Sequence, residues 1–484
     1  MSCTSVPSGQ KTTKDRRGKW LTAAVVLAGI VLRVIYCLGT TIFERQYDAG
    51  TIALDAGHRV SGGHLAYIQY LYENGRLPDF NPTTVYQFHH PPLFHAAAAL
   101  WMRFMSLFVH DTVQLEESIQ MVPLACAVIT LLVCVQLFRL LPMEERGVCF
   151  AAAILAFHPT LIQFSGSVNN DCMGLMFTVL ILYQAMRWSR RPSAGRILLL
   201  AVWFGLGVST KQNVAEMAVP VGAVFARTFF HHKNQNADHG AGAIRRGRLA
   251  LQYAAFLAVG LPLSLWFYVR NLVRWHVPLL WVYTLPDDSW QYVGGVPLVN
   301  RFLWSVPSEF LGNLRHFTIG CGYNVWLEII RTSMLGEWDM ADVGRPVKIL
   351  AVLLMLAGAL LGLLCTIDLG VVCLGRYGRE KRSFSPEDRL LLGFTWLITM
   401  VCYLKFVYDY PQQCSMNFRY IAVALVPTAA AAGLCMSPDM APDAGTRGQN
   451  CQSRPFQALW RGSHRFLLVL FCLLSAGMIA VWAA

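Results

Sequence analysis

The sequence predicts an all-α polytopic membrane protein, with about eleven transmembrane helices and short amphipathic helices in the loop after the first of them. Three observations lead there. Of 484 residues, 55% are hydrophobic and only 14% charged, and the mean hydropathy is +0.43, whereas soluble domains carry about 25% charge. The apolar runs last roughly 18 to 25 residues, which suits helices crossing about 30 Å of hydrocarbon and not barrel strands. Lys and Arg collect in short clusters between those runs, as topology signals do. The net charge of +12 therefore forms no basic face for nucleic acid.

In chain order, residues 1–19 form a cytoplasmic tail, basic from Lys11 to Lys19. The run Leu21 to Gly39 carries Arg33 and ends without a small-x-small cleavage site, so it reads as an uncleaved signal anchor. Runs able to span lie at 20–42, 93–109, 118–138, 147–165, 172–188, 194–210, 213–230, 249–269, 347–374, 389–409, 418–436 and 464–484. The basic groups are the tail, Arg187/Arg190/Arg191/Arg196, Lys233/Arg245/Arg246/Arg248, Arg376/Arg379/Lys381/Arg382 and Arg447/Arg454/Arg461. They fall on one side only if one run before Arg187 does not cross.

That run is 93–109. It is marginal in length, and at about 100° per residue its polar side chains His95, Arg103, Ser106 and His110 share an arc of roughly 80°. It reads as an interfacial helix opened by Pro91-Pro92. The protein then divides into the tail, a first transmembrane module at 20–269 with its outward loop 43–117, an outward loop region at 270–345, and a C-terminal module at 346–484. The N-terminus lies inside and the C-terminus outside. Ala66 to Glu73 forms a second short helix, ended by Asn74-Gly75. Loop 270–345 is too apolar for a bare connector and should fold into short surface helices. Gly205-x-Gly207 suits close helix packing. Fourteen cysteines contain no C-x-x-C and are mostly buried hydrophobes. Cys321 and Cys414 fall in outward loops, where a disulfide is open to them.

Every outward loop holds a residue with possible chemistry. Asp48 sits just past the first span, where a carboxylate can take a proton from a hydroxyl attacking a lipid-linked carbon; Asp55 is its rival. Asp171, after Asn169 and Asn170, either caps the following helix or supplies a second carboxylate. Lys211 lies on the side where the positive-inside rule disfavours lysine. It either snorkels or holds a lipid phosphate as a point charge. Arg270 and Arg419 also flank outward ends of spans, and a guanidinium binds phosphate bidentately. His64, His89 and His90 could ligate a metal, position a sugar or serve structurally. No nucleotide-binding glycine loop follows a strand and no Walker loop occurs, so a phosphate-bearing donor would have to be membrane-borne.

An ordered series carries a family resemblance: an aspartate after the first span, Gly63-His64 through Tyr67, Gly75-Arg76-Leu77-Pro78, Tyr86-Gln87-Phe88-His89-His90-Pro91-Pro92-Leu93, Asn169-Asn170-Asp171, and Asn417-Phe418-Arg419-Tyr420-Ile421. It resembles the GT-C superfamily of integral-membrane glycosyltransferases, in the branch of protein O-mannosyltransferases and aminoarabinose transferases, most strongly over residues 43 to 190. The resemblance implies the GT-C fold with juxtamembrane helices in the first outward loop. It makes Asp48 the catalytic carboxylate and Asp171 the second acidic residue, with Lys211, Arg270 and Arg419 as donor-phosphate ligands. His64, Tyr67, His89, His90, Asn170 and Tyr420 become substrate-binding positions. Two departures stand out. Asp48 is not followed by the acidic residue of several branches, which keeps Asp55 in play, and no soluble sugar-binding module is present. The compact form points to a bacterial plasma membrane and undecaprenyl phosphate, with an ER membrane and dolichyl phosphate as the alternative.

The expected activity is inverting transfer of a sugar from a polyprenyl phosphate to a hydroxyl of a glycan, lipid or protein acceptor on the extracytoplasmic face. No metal ligands are assigned and no cofactor is required by the sequence, although a divalent cation is left open. The alternatives are a transporter or lipid flippase, which would place its charges near mid-membrane, and a non-catalytic scaffold.

Overall fold

The computed structural model describes residues 8–42, 63–231, 246–279, 281–303, 322–338, 340, 342–374, 384–437 and 453–484. Among them the regular structure is helical, apart from an isolated bridge between Tyr292 and Gln412. In chain order the helices are α1 (Ser8–Gly39), α2 (His64–Asn74), α3 (Leu93–Met105), α4 (Thr112–Glu117), α5 (Met121–Leu140), α6 (Glu145–Phe157), α7 (Pro159–Gln163), α8 (Asp171–Arg190), α9 (Ala194–Val208), α10 (Ala218–His231), α11 (Arg246–Trp275), α12 (Leu298–Phe302), α13 (Val325–Leu335), α14 (Arg345–Cys373), α15 (Pro386–Asp409), α16 (Leu425–Met436) and α17 (Ser453–Trp482). Short 3₁₀ segments at Gln212–Met217 and Phe418–Ala424 lead into α10 and α16.

Seven stretches are long and apolar enough to cross a membrane: α1, α4 with α5, α11, α14, α15, the segment Gln413–Met436, and α17. The α6–α7 pair, α8, α9 and α10 fill the other four of the eleven predicted spans. The protein is thus an all-α polytopic membrane protein. Because there is no hydrophobic drive between helices inside lipid, close approach depends on small residues. A β-carbon on Gly147 would meet the Gly433 carbonyl oxygen at 2.3 Å, so α6 and α16 cross backbone to backbone. Gly205 does the same for α9 against α11, where a β-carbon would stand 2.3 Å from that of Leu263.

One span is broken. Pro159 has no N–H to offer the Leu155 carbonyl, so α6 stops at Phe157 and α7 restarts at Pro159. Three carbonyls left open in the hydrocarbon zone are taken by neighbours. Arg33 of α1 donates to Ala156 O at 2.9 Å and Leu155 O at 3.1 Å, and the Ser475 hydroxyl of α17 donates to Phe157 O. The charge that looked anomalous within the first span thus completes the backbone hydrogen bonding of another.

The ends of the bundle differ in charge. At one end Arg139 pairs with Glu145 at 2.8 Å, Arg190 with Asp388 at 2.7 Å and Arg227 with Glu387 at 3.2 Å. At the other, the Ile42 N–H meets Glu117, Leu93 N–H meets Ser209 O and Asn170 meets Thr210 O. Asp171 and Arg190 open and close α8, whose 20 residues extend about 30 Å, so they stand at opposite ends. This is the separation that the basic clusters require if 93–109 does not cross.

α3 is 13 residues long, about 20 Å, too short to span. Its polar arc does not face water as the helical wheel suggested: His95 is fully buried against α2, and Arg103 donates to Tyr72 O at 2.9 Å. Leu100 and Phe104 are exposed instead, as befits a helix with its apolar face toward lipid. α2 begins at His64, two residues before the predicted start. It ends as expected at Gly75, whose φ of 64° is the left-handed cap that glycine provides. In the 270–345 region, α12 and α13 are the short helices anticipated there. Residues 285–293 are tied to the 410–413 turn by Gln412 to Leu285 O at 2.9 Å and Val293 N–H to Pro411 O at 2.9 Å.

Candidate active site

The site begins with the turn between α7 and α8. Asn169 Oδ1 accepts the Asp171 N–H at 3.0 Å, and Asn170 Nδ2 donates to Thr210 O at 3.1 Å, stitching this turn to the end of α9. Asn169 satisfies the backbone here, which leaves the Asp171 carboxylate free for side-chain partners. It forms an ion pair with Lys211 and a second, at 3.8 Å, with Arg419. Lys211 follows the last turn of α9, its N–H on Gly207 O. Its stem lies along α8 because residue 174 is glycine; a β-carbon there would meet Lys211 Cβ at 3.2 Å.

Arg419 comes from the 3₁₀ segment before α16. Asn417 caps that segment, accepting the Arg419 N–H at 3.0 Å, and donates to Glu337 at 3.0 Å. Tyr420 lies beside both cations, its ring centroid 5.3 Å from Lys211 Nζ and 4.9 Å from the Arg419 guanidinium carbon, and its hydroxyl accepts from Arg419 at 2.9 Å. Asp171, Lys211 and Arg419 are 5%, 9% and 8% exposed. Among the described residues, Asp171 pairs with both cations, and the three are buried together in a region of low dielectric.

Above this triad opens a cavity of about 470 Å³. Lys211, Arg419 and Tyr420 contribute to its base, Trp281 and Tyr283 form one wall, and Tyr403 and Phe406 of α15 form another. His89 and His90 line the remaining side. The wall from Trp281 to Leu285 belongs to the long 270–345 region.

His89 and His90 head a stacked array that runs back into the first loop. The rings of His64 and His90 stand 5.4 Å apart at 17°, His64 Nδ1 and His95 Nε2 are 2.9 Å apart, and Tyr67 lies between Phe88 at 4.6 Å and His95 at 4.4 Å. Burial pushes the imidazoles down, His95 to about 3 and His89 to about 4, and His64 and His90 well below the usual range. They are neutral at pH 7 and act as flat polar surfaces, not as cations. Their rings stack instead of converging; among the described residues no three His, Cys, Asp or Glu side chains gather to hold a metal ion.

The structure therefore brings Asp171, Lys211, Arg419 and Tyr420 together, with His89 and His90 across the cavity and His64, Tyr67 and Asn170 supporting from behind. Arg270 stands elsewhere. It donates to Pro78 O at 2.6 Å and lies 4.6 Å from the Trp275 ring, and with Arg274, 2.9 Å from Asp79, it anchors the stretch after α2. Asp48, Asp55 and Cys321 lie outside the described residues. Glu216, Trp281, Tyr283 and Tyr403 also line the cavity. Sequence reasoning did not select them: Glu216 showed only as a charge in an apolar run, and the aromatics carry no motif.

Residues 89–237 match the family described as dolichyl-phosphate-mannose-protein mannosyltransferase, which bears out the resemblance to GT-C membrane glycosyltransferases. Comparison with curated protein sequences finds no significant match. Among solved structures, the fold is similar to an oligosaccharyltransferase of Archaeoglobus fulgidus in the apo form (TM-score 0.42, 13% identity, 95% of this chain and 56% of that one). The oligosaccharyltransferase AglB of the same organism, in complex with an inhibitory peptide and a dolichol-phosphate, gives a TM-score of 0.45 at 14% identity over 95% and 56%. ArnT of Cupriavidus metallidurans in the apo state gives 0.38 at 15% identity over 85% and 77%. The chain thus spans little more than half the length of the archaeal enzymes.

Proposed function

We propose that this protein is an inverting glycosyltransferase that takes a sugar from a polyprenyl phosphate, undecaprenyl or dolichyl, and passes it to an acceptor hydroxyl at the extracytoplasmic face of a membrane. The observation that carries the reading is the cationic triad of Lys211, Asp171 and Arg419 at the base of a large aromatic cavity, at the bundle end away from the basic clusters. By the positive-inside rule that end faces out. A lipid-borne phosphodiester reaches this depth from the bilayer and meets two cations grouped at one site.

In the reaction, the acceptor O–H gives its proton to a carboxylate, for which Asp48 is the first candidate and Asp55 the second. The oxygen bonds to the anomeric carbon from the face opposite the phosphate, and the bond from that carbon to the phosphate oxygen breaks. Its electron pair leaves on the phosphate, where the growing charge is met by Lys211 and Arg419, so no protonating acid is needed. The aromatic walls and the 281–285 stretch exclude water that would otherwise hydrolyse the donor. Asp171, already flanked by two cations, has no net charge left with which to hold a divalent ion, and no step here runs through one.

The test uses membranes supplied with labelled lipid-linked sugar. Lys211→Met and Arg419→Met should each weaken binding of the lipid phosphate tenfold or more, a charged hydrogen bond being worth about 1.5–3 kcal/mol. Asp48→Asn should abolish transfer while leaving donor binding in place. Full transfer by Asp48→Asn with loss in Asp55→Asn reassigns the base, and undiminished transfer by both ends the mechanism.

A further inference from the structure

Glu216 belongs to the 3₁₀ segment Gln212–Met217 that follows Lys211, and it lines both the large cavity and the narrow cleft beneath it that reaches Asp171. Among the described residues its carboxylate accepts no hydrogen bond and enters no ion pair, while Lys211, five positions earlier, is committed to Asp171. An acceptor-only group half withdrawn from water without a donor is costly. The cost is relieved when a molecule bearing O–H groups fills the cavity.

We infer that Glu216 is a sugar-binding residue, accepting hydrogen bonds from hydroxyl groups of the transferred sugar while Lys211 and Arg419 hold the phosphate. The inference rests on the donor reading above and deepens it. The two polar parts of such a donor are chemically opposite. A phosphate offers only acceptor oxygens and is repelled by a carboxylate, whereas a sugar offers donors. As a carboxylate, Glu216 is satisfied by the sugar and not by the phosphate. Tyr403 and Tyr420 on the cavity walls offer ring faces for the apolar face of the sugar.

The experiment measures binding of purified, detergent-solubilised wild type, Glu216→Gln and Glu216→Asp to undecaprenyl phosphate and to its mannose and glucose phosphodiesters. Wild type should bind bare undecaprenyl phosphate and prefer a sugar-bearing lipid. Glu216→Gln should retain affinity for the bare lipid, which also shows that it is folded, and lose roughly ten- to hundredfold for the sugar lipid, with Glu216→Asp in between. An unchanged sugar preference in Glu216→Gln overturns the inference. Equal loss of both lipids also overturns it, since the residue would then act on the cavity and not on the sugar. If wild type binds none of the lipids while Glu216→Gln is folded and equally inert, the donor reading itself falls and the inference falls with it.

Discussion

Replacing Asp171 by asparagine removes the anion that pairs with both Lys211 and Arg419 while keeping nearly the same shape. At an effective dielectric constant of about 20, charges 3.8 Å apart, as Asp171 and Arg419 are, attract by about 4 kcal/mol, and Lys211 lies closer still. Part of that attraction is offset by desolvation in the native pair. The substitution leaves two buried cations without their shared carboxylate, and breaking a buried pair in this way costs about 3–5 kcal/mol. The assay is thermal unfolding in detergent with and without a polyprenyl phosphate. The Asp171→Asn variant should melt well below wild type when alone. A lipid phosphate at 100 times the wild-type Kd should return about 2.7 kcal/mol to wild type and more than that to the variant at the same concentration, because the lipid now supplies the missing anion. Equal melting of variant and wild type without lipid, or no rescue by lipid, would refute the electrostatic account.

Arg33→Met should cost about 3 kcal/mol by opening the Leu155 and Ala156 carbonyls. Combining it with Pro159→Ala, which restores an N–H to the break, should recover part of that loss in a double-mutant cycle; strict additivity would disprove the coupling. The buried histidines give a pH dependence of definite sign. Their imidazoles are held neutral in the fold, His95 down to about 3, whereas in the unfolded chain they titrate near 6.5. Stability is therefore complete above about pH 6.5 and falls by up to about 1.4 kcal/mol per pH unit for His95 as acid protonates the unfolded chain, down to about pH 3. Melting from pH 7.5 to 5.5 should show the slope and His95→Gln should flatten it; an unflattened slope would assign it to other groups. Arg270→Ala should speed hydrogen exchange across residues 64–80, because it removes the bond to Pro78, and should leave lipid-phosphate affinity within about threefold. A tenfold loss of affinity would return Arg270 to the phosphate site.

The sequence separated Asp171 from Arg190 to opposite ends of the bundle, because that depends on the parity of spans and on where lysine and arginine cluster. It could not reveal direction around the bundle axis. Lys211, Arg419 and Arg270 all read as cations at the same depth, yet only the first two point at Asp171, while Arg270 turns outward to the first loop. The helical wheel of 93–109 grouped His95 with Arg103, but a wheel gives an arc and not its partner, and α2 had no signature as the surface that would cover it. Pro159 lies inside the run 147–165, which the sequence presented as one unbroken span. That Arg33, more than a hundred residues earlier, would satisfy the carbonyls it leaves open is a tertiary fact with no local trace. The Asn169-Asn170-Asp171 triplet was ambiguous between capping and chemistry because it divides the work: the first asparagine holds the turn and the aspartate is released to the cations.

The arrangement of one carboxylate between two cations bears on turnover as well as on capture. Under the proposed function, a donor would arrive as a phosphodiester with a single negative charge, whereas the spent carrier would depart as a monoester with a charge of about −1.5 to −2 at neutral pH. Naked cations would grip the spent carrier harder than the fresh one and stall the enzyme. Asp171 lowers the local potential and opposes the second charge, so in that reaction it would hasten ejection of the used lipid and free the cavity for the next round.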